Sequence, residues 1–100
     1  VPMIIRIVKL SFHAEYISNF KTIFEENKQK IISQKGCNRI EMLEDINDVN
    51  VIFTYSWWDY EDDLNNYRNS ELFKDVWSKT KILFNKKPEA WSTKKINEVL

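Results

Sequence analysis

The chain has 100 residues, of which 43% are hydrophobic and 30% charged, and 15 basic residues balance 15 acidic ones. This length suits one domain with a single core, since domains of this size bury roughly two-thirds of the surface that the unfolded chain exposes. The balanced charge argues against a nucleic-acid partner, and no apolar run approaches the ~20 residues that span a bilayer. We therefore expect one domain over residues 1–100 that binds neither nucleic acid nor membrane.

Cysteine usage and the N-terminus bear on where the protein works. Cys37 is the single cysteine, so it cannot form an intramolecular disulfide, and the N-terminus lacks both a basic leader and a small-residue cleavage site. We therefore predict a cytoplasmic location and an inert, buried Cys37 thiol. Val1 and Pro2 precede Met3, where an ordinary start codon would stand, so we interpret them as a cloning remnant and expect the core over 3–97.

The first half of the chain predicts a strand followed by a helix. The run MIIRIVKLSF over residues 3–12 is β-branched and too short to favour a helix, so it predicts the first strand. Both of its alternating sets are apolar, which indicates that both faces of the sheet are covered. Apolar residues recur at helical spacing over 15–33 and predict an amphipathic helix. Gly36 follows, where a left-handed residue ends a helix at least cost, so we expect the helix to end at about Gln34.

The second half predicts a β-hairpin, two helices and a last strand. The helical patterns place Leu64 and Tyr67 inward in one helix. Ser70 is suited to cap the next helix, because its hydroxyl can accept a hydrogen bond from the first turn. Pro88 ends the helical region. The predicted elements are, in order, strands over 37–46 and 51–58, helices over 60–68 and 71–84, and a strand over 90–96.

The order strand, helix, strand, strand, helix, strand is the split βαβ arrangement of an α+β, ferredoxin-like domain. It predicts a four-stranded antiparallel sheet with the helices on one face. We expect the other face to carry one apolar set of the first strand, which includes Ile4, Val8 and Leu10, with half of the aromatic-rich run 53–58. Such a patch is larger than monomers usually expose, so we predict a homodimer through the sheet face.

The aromatic residues are the most informative feature of the sequence, and they admit two interpretations. They either fill the core and a dimer interface or line an apolar cavity that suits a flat aromatic molecule. Trp57 and Trp58 are adjacent on a strand, so only one of them can face a pocket between the sheet and the helices. The residues that we predict to line such a pocket are Tyr55, Trp57 and Phe73.

His13 is the only histidine, and it stands between the first strand and the first helix. Histidine is the residue type that most often shuttles protons near neutral pH, and the alternative interpretation is a solvated loop residue ahead of a helix. A single histidine argues against zinc or non-haem iron, since such sites use several imidazoles or cysteines at set spacing. We therefore predict no metal site.

Four segments together resemble the antibiotic biosynthesis monooxygenase family of dimeric α/β barrels. They are the opening strand MIIRIVKLSF, the runs FKTIFEENKQKIISQKGCNRIEMLEDI and FTYSWWDYEDDLNNYRNSELF, and the closing PEAWSTKKI. The resemblance covers nearly the whole chain and implies two four-stranded sheets packed face to face in a dimer, often with a pocket between each sheet and its helices. Such members include cofactor-independent oxygenases of phenolic polyketides, haem-degrading enzymes, isomerases of signal molecules and many proteins of no known activity.

The resemblance to the haem-degrading members extends without a gap from Trp57 to Trp77. Those members have an asparagine, a tryptophan and an iron-ligating histidine where this chain has Val8, Tyr67 and Trp77. A valine cannot hydrogen-bond a ligand, and an indole only donates, so it cannot bind iron as an imidazole does. We therefore expect no haem breakdown by that mechanism.

The resemblance implies, as our first hypothesis, a monooxygenase that oxidises a phenolic or quinol-like substrate without a bound cofactor. Such an enzyme positions the substrate, helps to ionise its hydroxyl and stabilises the anion, and we assign these roles to His13, Tyr67 and Trp77. One alternative is a non-catalytic dimeric protein, for ligand binding or a stress response, whose aromatic residues are structural. The other alternative is a small-molecule isomerase.

Overall fold

The computed structural model describes residues 3–100, and Val1 and Pro2, which we interpret as a cloning remnant, lie outside this range. Four antiparallel strands form one sheet in the order β2-β3-β1-β4. The strands are β1 (Ile4–Ser11), β2 (Cys37–Glu44), β3 (Val51–Trp58) and β4 (Glu89–Lys94). The helical elements are a 3-10 turn (Ala14–Tyr16), α1 (Ile17–Ile32), α2 (Glu61–Arg68) and α3 (Glu71–Lys81). The α-helices lie over one face of the sheet.

This architecture confirms the predicted α+β, ferredoxin-like fold and its order of elements. The β3 strand has the predicted bounds, whereas β2 ends at Glu44, two residues before the predicted end. The α3 helix ends at Lys81 because the chain then turns back towards β1, where Phe84 forms an isolated antiparallel bridge with Phe12. The predicted helix to Phe84 was therefore too long, because Phe84 lies in the turn after α3 and not in the helix.

The core lies between the sheet and the helices. Its buried cluster comprises Leu10, Phe12, Phe20, Ile52 and Leu83. Phe12 stacks on Phe20 with the ring centroids 4.6 Å apart, and this contact joins the end of β1 to α1. Burial of an aromatic or branched side chain stabilises a fold by roughly 1.5–3 kcal/mol relative to exposure, so these few contacts hold the helices to the sheet.

The helices cover the opposite set of β1 side chains from the one that we expected. Leu10 is buried in the core and Val8 packs against it. Because successive side chains of a strand point to opposite faces, Ile5 and Ile7 lie on the uncovered face. The expectation that Val8 and Leu10 belong to the uncovered face was wrong, since both sets of β1 are apolar and hydrophobicity alone could not distinguish them.

Gly36 confirms the predicted left-handed residue after α1, with a φ angle of +82°. A Cβ atom at this position would lie 2.7 Å from the Cβ of Asp63, which is on α2 and almost fully buried. The glycine therefore allows α2 to pack closely against the turn between α1 and β2. Close packing here matters for function, because the last residues of α2 line the cavity described next.

Candidate functional site

An apolar cavity of about 130 Å³ lies between the sheet and the helices. Its floor is the helix-facing side of β1 and β3, and α1, α2 and α3 supply its walls. Six aromatic side chains line it, and four of them lie on β3, α2 and α3, namely Trp58, Tyr67, Phe73 and Trp77. An apolar protein cavity of about 150 Å³ accepts one benzene ring. This cavity is therefore of the right size for roughly one aromatic ring.

The four aromatic side chains on β3, α2 and α3 form a continuous wall. The ring of Trp58 stacks on Tyr67 with centroids 5.2 Å apart, and Tyr67 meets Phe73 edge-on at 5.3 Å. Phe73 in turn stacks on Trp77 at 5.8 Å, with the ring planes 9° apart. Stacked and edge-to-face pairs at roughly 4.5–7 Å are the favourable arrangements of aromatic rings. Each ring therefore fixes its neighbour, and the wall is pre-formed for a flat molecule.

Ser70 sets the relative position of Tyr67 and Phe73. Its hydroxyl donates a hydrogen bond to the carbonyl oxygen of Tyr67 at 2.6 Å and accepts one from the backbone N–H of Phe73 at 3.1 Å. The second bond confirms the predicted N-cap of α3. One small side chain thus connects the end of α2 with the start of α3, and both helices bring an aromatic ring to the cavity.

Tyr67 brings a hydroxyl group into the aromatic wall. Burial, with a smaller contribution from the nearby Cys37, raises the pKa of Tyr67 to about 12. Desolvation disfavours the charged form of a phenol, so the proton is retained well above neutral pH. Tyr67 therefore enters any reaction near neutral pH as a hydrogen-bond donor and not as a base.

Polar side chains line the floor of the cavity, although helices cover this face of the sheet. Arg6, Thr54 and Ser56 lie there among apolar neighbours. The hydroxyl of Ser56 accepts a hydrogen bond from the indole N–H of Trp58 at 2.9 Å, which fixes the orientation of that ring. Arg6 is half-buried and donates a hydrogen bond to the Ser92 hydroxyl at 3.0 Å. The floor thus offers polar groups beneath an apolar wall.

The structure brings some of the residues singled out in the sequence to the cavity and leaves others away from it. Tyr67, Phe73 and Trp77 line the cavity. Tyr55 and Trp57 do not, because they lie on the uncovered face of the sheet, with their rings 6.1 Å apart. Since strand side chains alternate, Trp58 occupies the cavity in place of the predicted Trp57, and the pocket lining is corrected accordingly.

His13 does not line the cavity. It is exposed just before the 3-10 turn, and its ring meets Tyr16 edge-on at 5.8 Å. Its backbone N–H donates to the Leu83 carbonyl oxygen at 3.2 Å. This placement fits the alternative interpretation of a solvated loop residue, and a role as proton shuttle stays a prediction.

The residues of the site that sequence reasoning missed include Trp58, Arg6 and Arg68. Arg6 carried a usable signal, since it is a charged residue in the middle of an apolar strand. Arg68 is the last residue of α2, where a basic side chain is common because it complements the helix dipole. Because the helix dipole accounts for a basic residue at this position, nothing in the sequence indicated that Arg68 lines the cavity.

Neither a metal-binding cluster nor a membrane-crossing helix occurs in residues 3–100. No group of three or more His, Cys, Asp or Glu side chains is placed to hold a metal ion within this range. None of its helices has the length and apolarity that crossing a bilayer requires. Cys37 is half-buried, and this burial raises the pKa of its thiol, so it stays protonated at neutral pH.

These features define an α+β domain of the ferredoxin-like class with a ligand-sized cavity between its sheet and its helices. The model of the family described as antibiotic biosynthesis monooxygenase matches residues 3–78, and the chain belongs to this family. The predicted family is thereby confirmed. No curated protein matches the sequence.

Solved structures share this fold at low sequence identity. A conserved protein from Methanosarcina mazei Go1 is 16% identical with a TM-score of 0.90, covering 94% of this chain and 93% of that one. SnoaB, described as a cofactor-independent oxygenase from Streptomyces nogalater, is 13% identical with a TM-score of 0.88, covering 99% and 98%. Rv0793 from Mycobacterium tuberculosis is 10% identical with a TM-score of 0.87, covering 98% and 99%. At these identities the similarity shows the fold alone.

We predict that Tyr67→Phe removes a pH-dependent part of the free energy of unfolding. Because the pKa of folded Tyr67 is raised from 10 to about 12, its contribution is fully present below about pH 10 and is lost as the pH rises through 12. At about 1.4 kcal/mol per pKa unit, the wild type should lose about 3 kcal/mol relative to the variant. Urea unfolding of both proteins across this alkaline range measures the difference.

Tyr60→Phe is the matched control for this measurement, because Tyr60 is 53% exposed and lies outside the cavity. Its stability should follow that of the wild type through the alkaline range. A constant difference in stability between wild type and Tyr67→Phe at every pH would contradict the raised pKa.

Proposed function

We propose that the protein is a monooxygenase that oxidises a small phenolic or quinol-like molecule, bound in the cavity, without a bound cofactor. The observation that carries this proposal is the pre-formed aromatic cavity, with room for roughly one ring and a protonated Tyr67 hydroxyl in its wall. Family membership supports oxygen chemistry. The description of SnoaB as a cofactor-independent oxygenase supports a reaction that needs no cofactor.

In the proposed reaction the cavity orients the substrate and stabilises its anion. The substrate ring lies against the aromatic wall, and Tyr67 donates a hydrogen bond to the ionised hydroxyl. The positive charge of Arg6 favours the same anion, since an opposite charge nearby lowers the pKa of a phenol. No carboxylate or imidazole lines the cavity among residues 3–100. The substrate proton therefore passes to water, and the protein acts by stabilising the anion that remains.

The ionised ring then reduces dioxygen directly. One electron passes from the phenolate to dioxygen, and the phenoxyl radical and superoxide combine at a ring carbon that bears hydrogen. The resulting peroxide takes up one proton and then loses water, as the O–O bond and the ring C–H bond break. Phenol and dioxygen thus give a quinone and water, with one atom of the dioxygen in each product and four electrons transferred from the ring.

We predict saturable oxygen uptake when the metal-stripped protein is mixed with one-ring hydroquinones and phenols. Tyr67→Phe should reduce the rate roughly a hundredfold, because removing one donor to a developing oxyanion has an effect of this order. Tyr60→Phe is the matched control and should keep the wild-type rate, since Tyr60 lies outside the cavity. An oxygen electrode gives the rates, and circular dichroism shows that each variant is folded.

Two other results would decide the remaining hypotheses. A normal rate in His13→Ala would contradict the predicted proton shuttle, whereas a large loss in the folded variant would support it. Uptake no greater than background across the whole panel, from a folded wild-type protein, would contradict the oxygenase proposal.

The alternative functions gain unequal support from the cavity. An isomerase must move a proton with an acid or base at the substrate, and no carboxylate or imidazole lines the cavity in residues 3–100. A non-catalytic ligand-binding protein needs no such group. It predicts that phenols bind in the cavity and that no oxygen is consumed, so the uptake measurement distinguishes it from the oxygenase.

We also propose that two copies of the chain associate through the uncovered face of the sheet. On this face Ile5 lies opposite Trp57, and Ile7 lies between Tyr55 and Trp91 on the neighbouring strands. The Trp91 side chain is 46% exposed. Contiguous apolar surface of this kind commonly marks an interaction site, and a twofold dimer covers the same patch on both copies.

We predict that Trp57→Glu weakens this association, because a dimer would bury the added charge at the centre of the interface. Light scattering during size-exclusion chromatography should give a dimer mass for the wild type and a monomer mass for the variant. Ile82→Glu is the matched control, since Ile82 is 72% exposed and follows α3, away from the sheet face. It should remain dimeric, and a monomeric wild type at micromolar concentration would overturn the proposal.

A further inference from the structure

The cavity has a positively charged end. Arg6 from β1 and Arg68 from the end of α2 both line it. They are two of the three arginines in the chain, and none of the lysines lines the cavity. Within residues 3–100, no Asp or Glu lines the cavity, and neither guanidinium forms an ion pair with a carboxylate.

Two like charges beside an apolar cavity are unfavourable unless an anion accompanies them. Burial lowers the pKa of Arg6, and the charge of Arg68 lowers it further. A partly desolvated cation is costly without a partner of opposite charge. Arg39, on the other side of the sheet, illustrates the usual compensation, because it pairs with Glu41 and lies 5.1 Å above the ring centroid of Trp57.

The fold uses only a small part of the hydrogen-bonding capacity of Arg6. A guanidinium carries five N–H donors, and Arg6 donates one bond within the described chain, to Ser92. Its neighbours across the sheet are Ser56 on β3 and Ser92 on β4, which are small and polar. Small neighbours leave room beside the guanidinium for a ligand group that accepts its remaining N–H donors.

We propose that the ligand of this cavity is an aromatic carboxylate of roughly one ring, with its carboxylate held by Arg6 and Arg68. The ring lies against the aromatic wall, and the carboxylate meets the charged end. A carboxylate matches the planar fork of a guanidinium, which accounts for arginine instead of lysine at both positions. This inference rests on the proposed function, because it specifies the substrate class for the same cavity.

The test compares a carboxylate with its neutral isostere in a binding measurement that does not depend on turnover. Isothermal titration calorimetry under nitrogen gives the dissociation constants of 4-hydroxybenzoate and 4-hydroxybenzamide. The wild type should bind the carboxylate about tenfold or more tightly than the amide. A hydrogen bond to a charged group contributes more binding free energy than a neutral one, and the difference corresponds to about this ratio of dissociation constants. Arg6→Gln and Arg68→Gln should each remove most of this preference by weakening the binding of the carboxylate.

Arg39→Gln is the matched control, because it removes the same charge from the other side of the sheet. It should retain the wild-type preference. If Arg6→Gln does not fold, Arg68→Gln carries the test, since Arg68 is exposed at the end of α2. Equal binding of both ligands by the wild type, or an equal loss in Arg39→Gln, would overturn the proposal.

The outcome is separable from that of the oxygen-uptake experiment. Preferential binding of the carboxylate without oxygen uptake would support this inference and contradict the oxygenase. Oxygen uptake with neutral phenols, together with no preference for the carboxylate, would support the oxygenase and contradict this inference.

Discussion

The α-helices cover only one face of the sheet, and the rest of the site depends on which side chains the strands direct towards them. On β3 this set contains Thr54, Ser56 and Trp58, while Tyr55 and Trp57 point the other way. The alternation of a strand therefore separates the aromatic residues into a cavity wall and an outer patch. Each group can then serve a different role, one in binding a small molecule and the other in the proposed association of two copies.

The cavity combines rigid apolar walls with a few polar groups, and this combination limits its chemistry. The aromatic rings of the wall pack against one another. Ser70 fixes the junction of α2 and α3, the two helices that carry most of these rings. The Tyr67 hydroxyl is a hydrogen-bond donor near neutral pH, and Arg6 and Arg68 supply positive charge. Such a site stabilises an anion better than it removes a proton. An oxygenase whose substrate itself reduces dioxygen needs a site that stabilises the substrate anion.

Local features of the fold were predictable from the sequence because each has a local physical cause. Gly36 supplies the left-handed residue after α1, and Ser70 supplies the hydroxyl that caps α3. Which side chains of each strand point towards the helices was not predictable in this way. Both sets of β1 are apolar, and β3 turns its polar residues Thr54 and Ser56 towards the helices, against the usual preference for apolar residues inside. The cavity makes this arrangement favourable, and a single sequence does not show the cavity.

The distribution of the four tryptophans allows a direct test of the central claim, that the space between sheet and helices is the ligand site. Trp58 and Trp77 line the cavity, whereas Trp57 and Trp91 lie on the uncovered face. We would record the indole N–H signals of the protein by 1H–15N NMR while adding a one-ring phenol. Saturable shifts confined to the signals of Trp58 and Trp77 are the expected result. Shifts confined to Trp57 and Trp91, or no saturable shift at all, would contradict the claim.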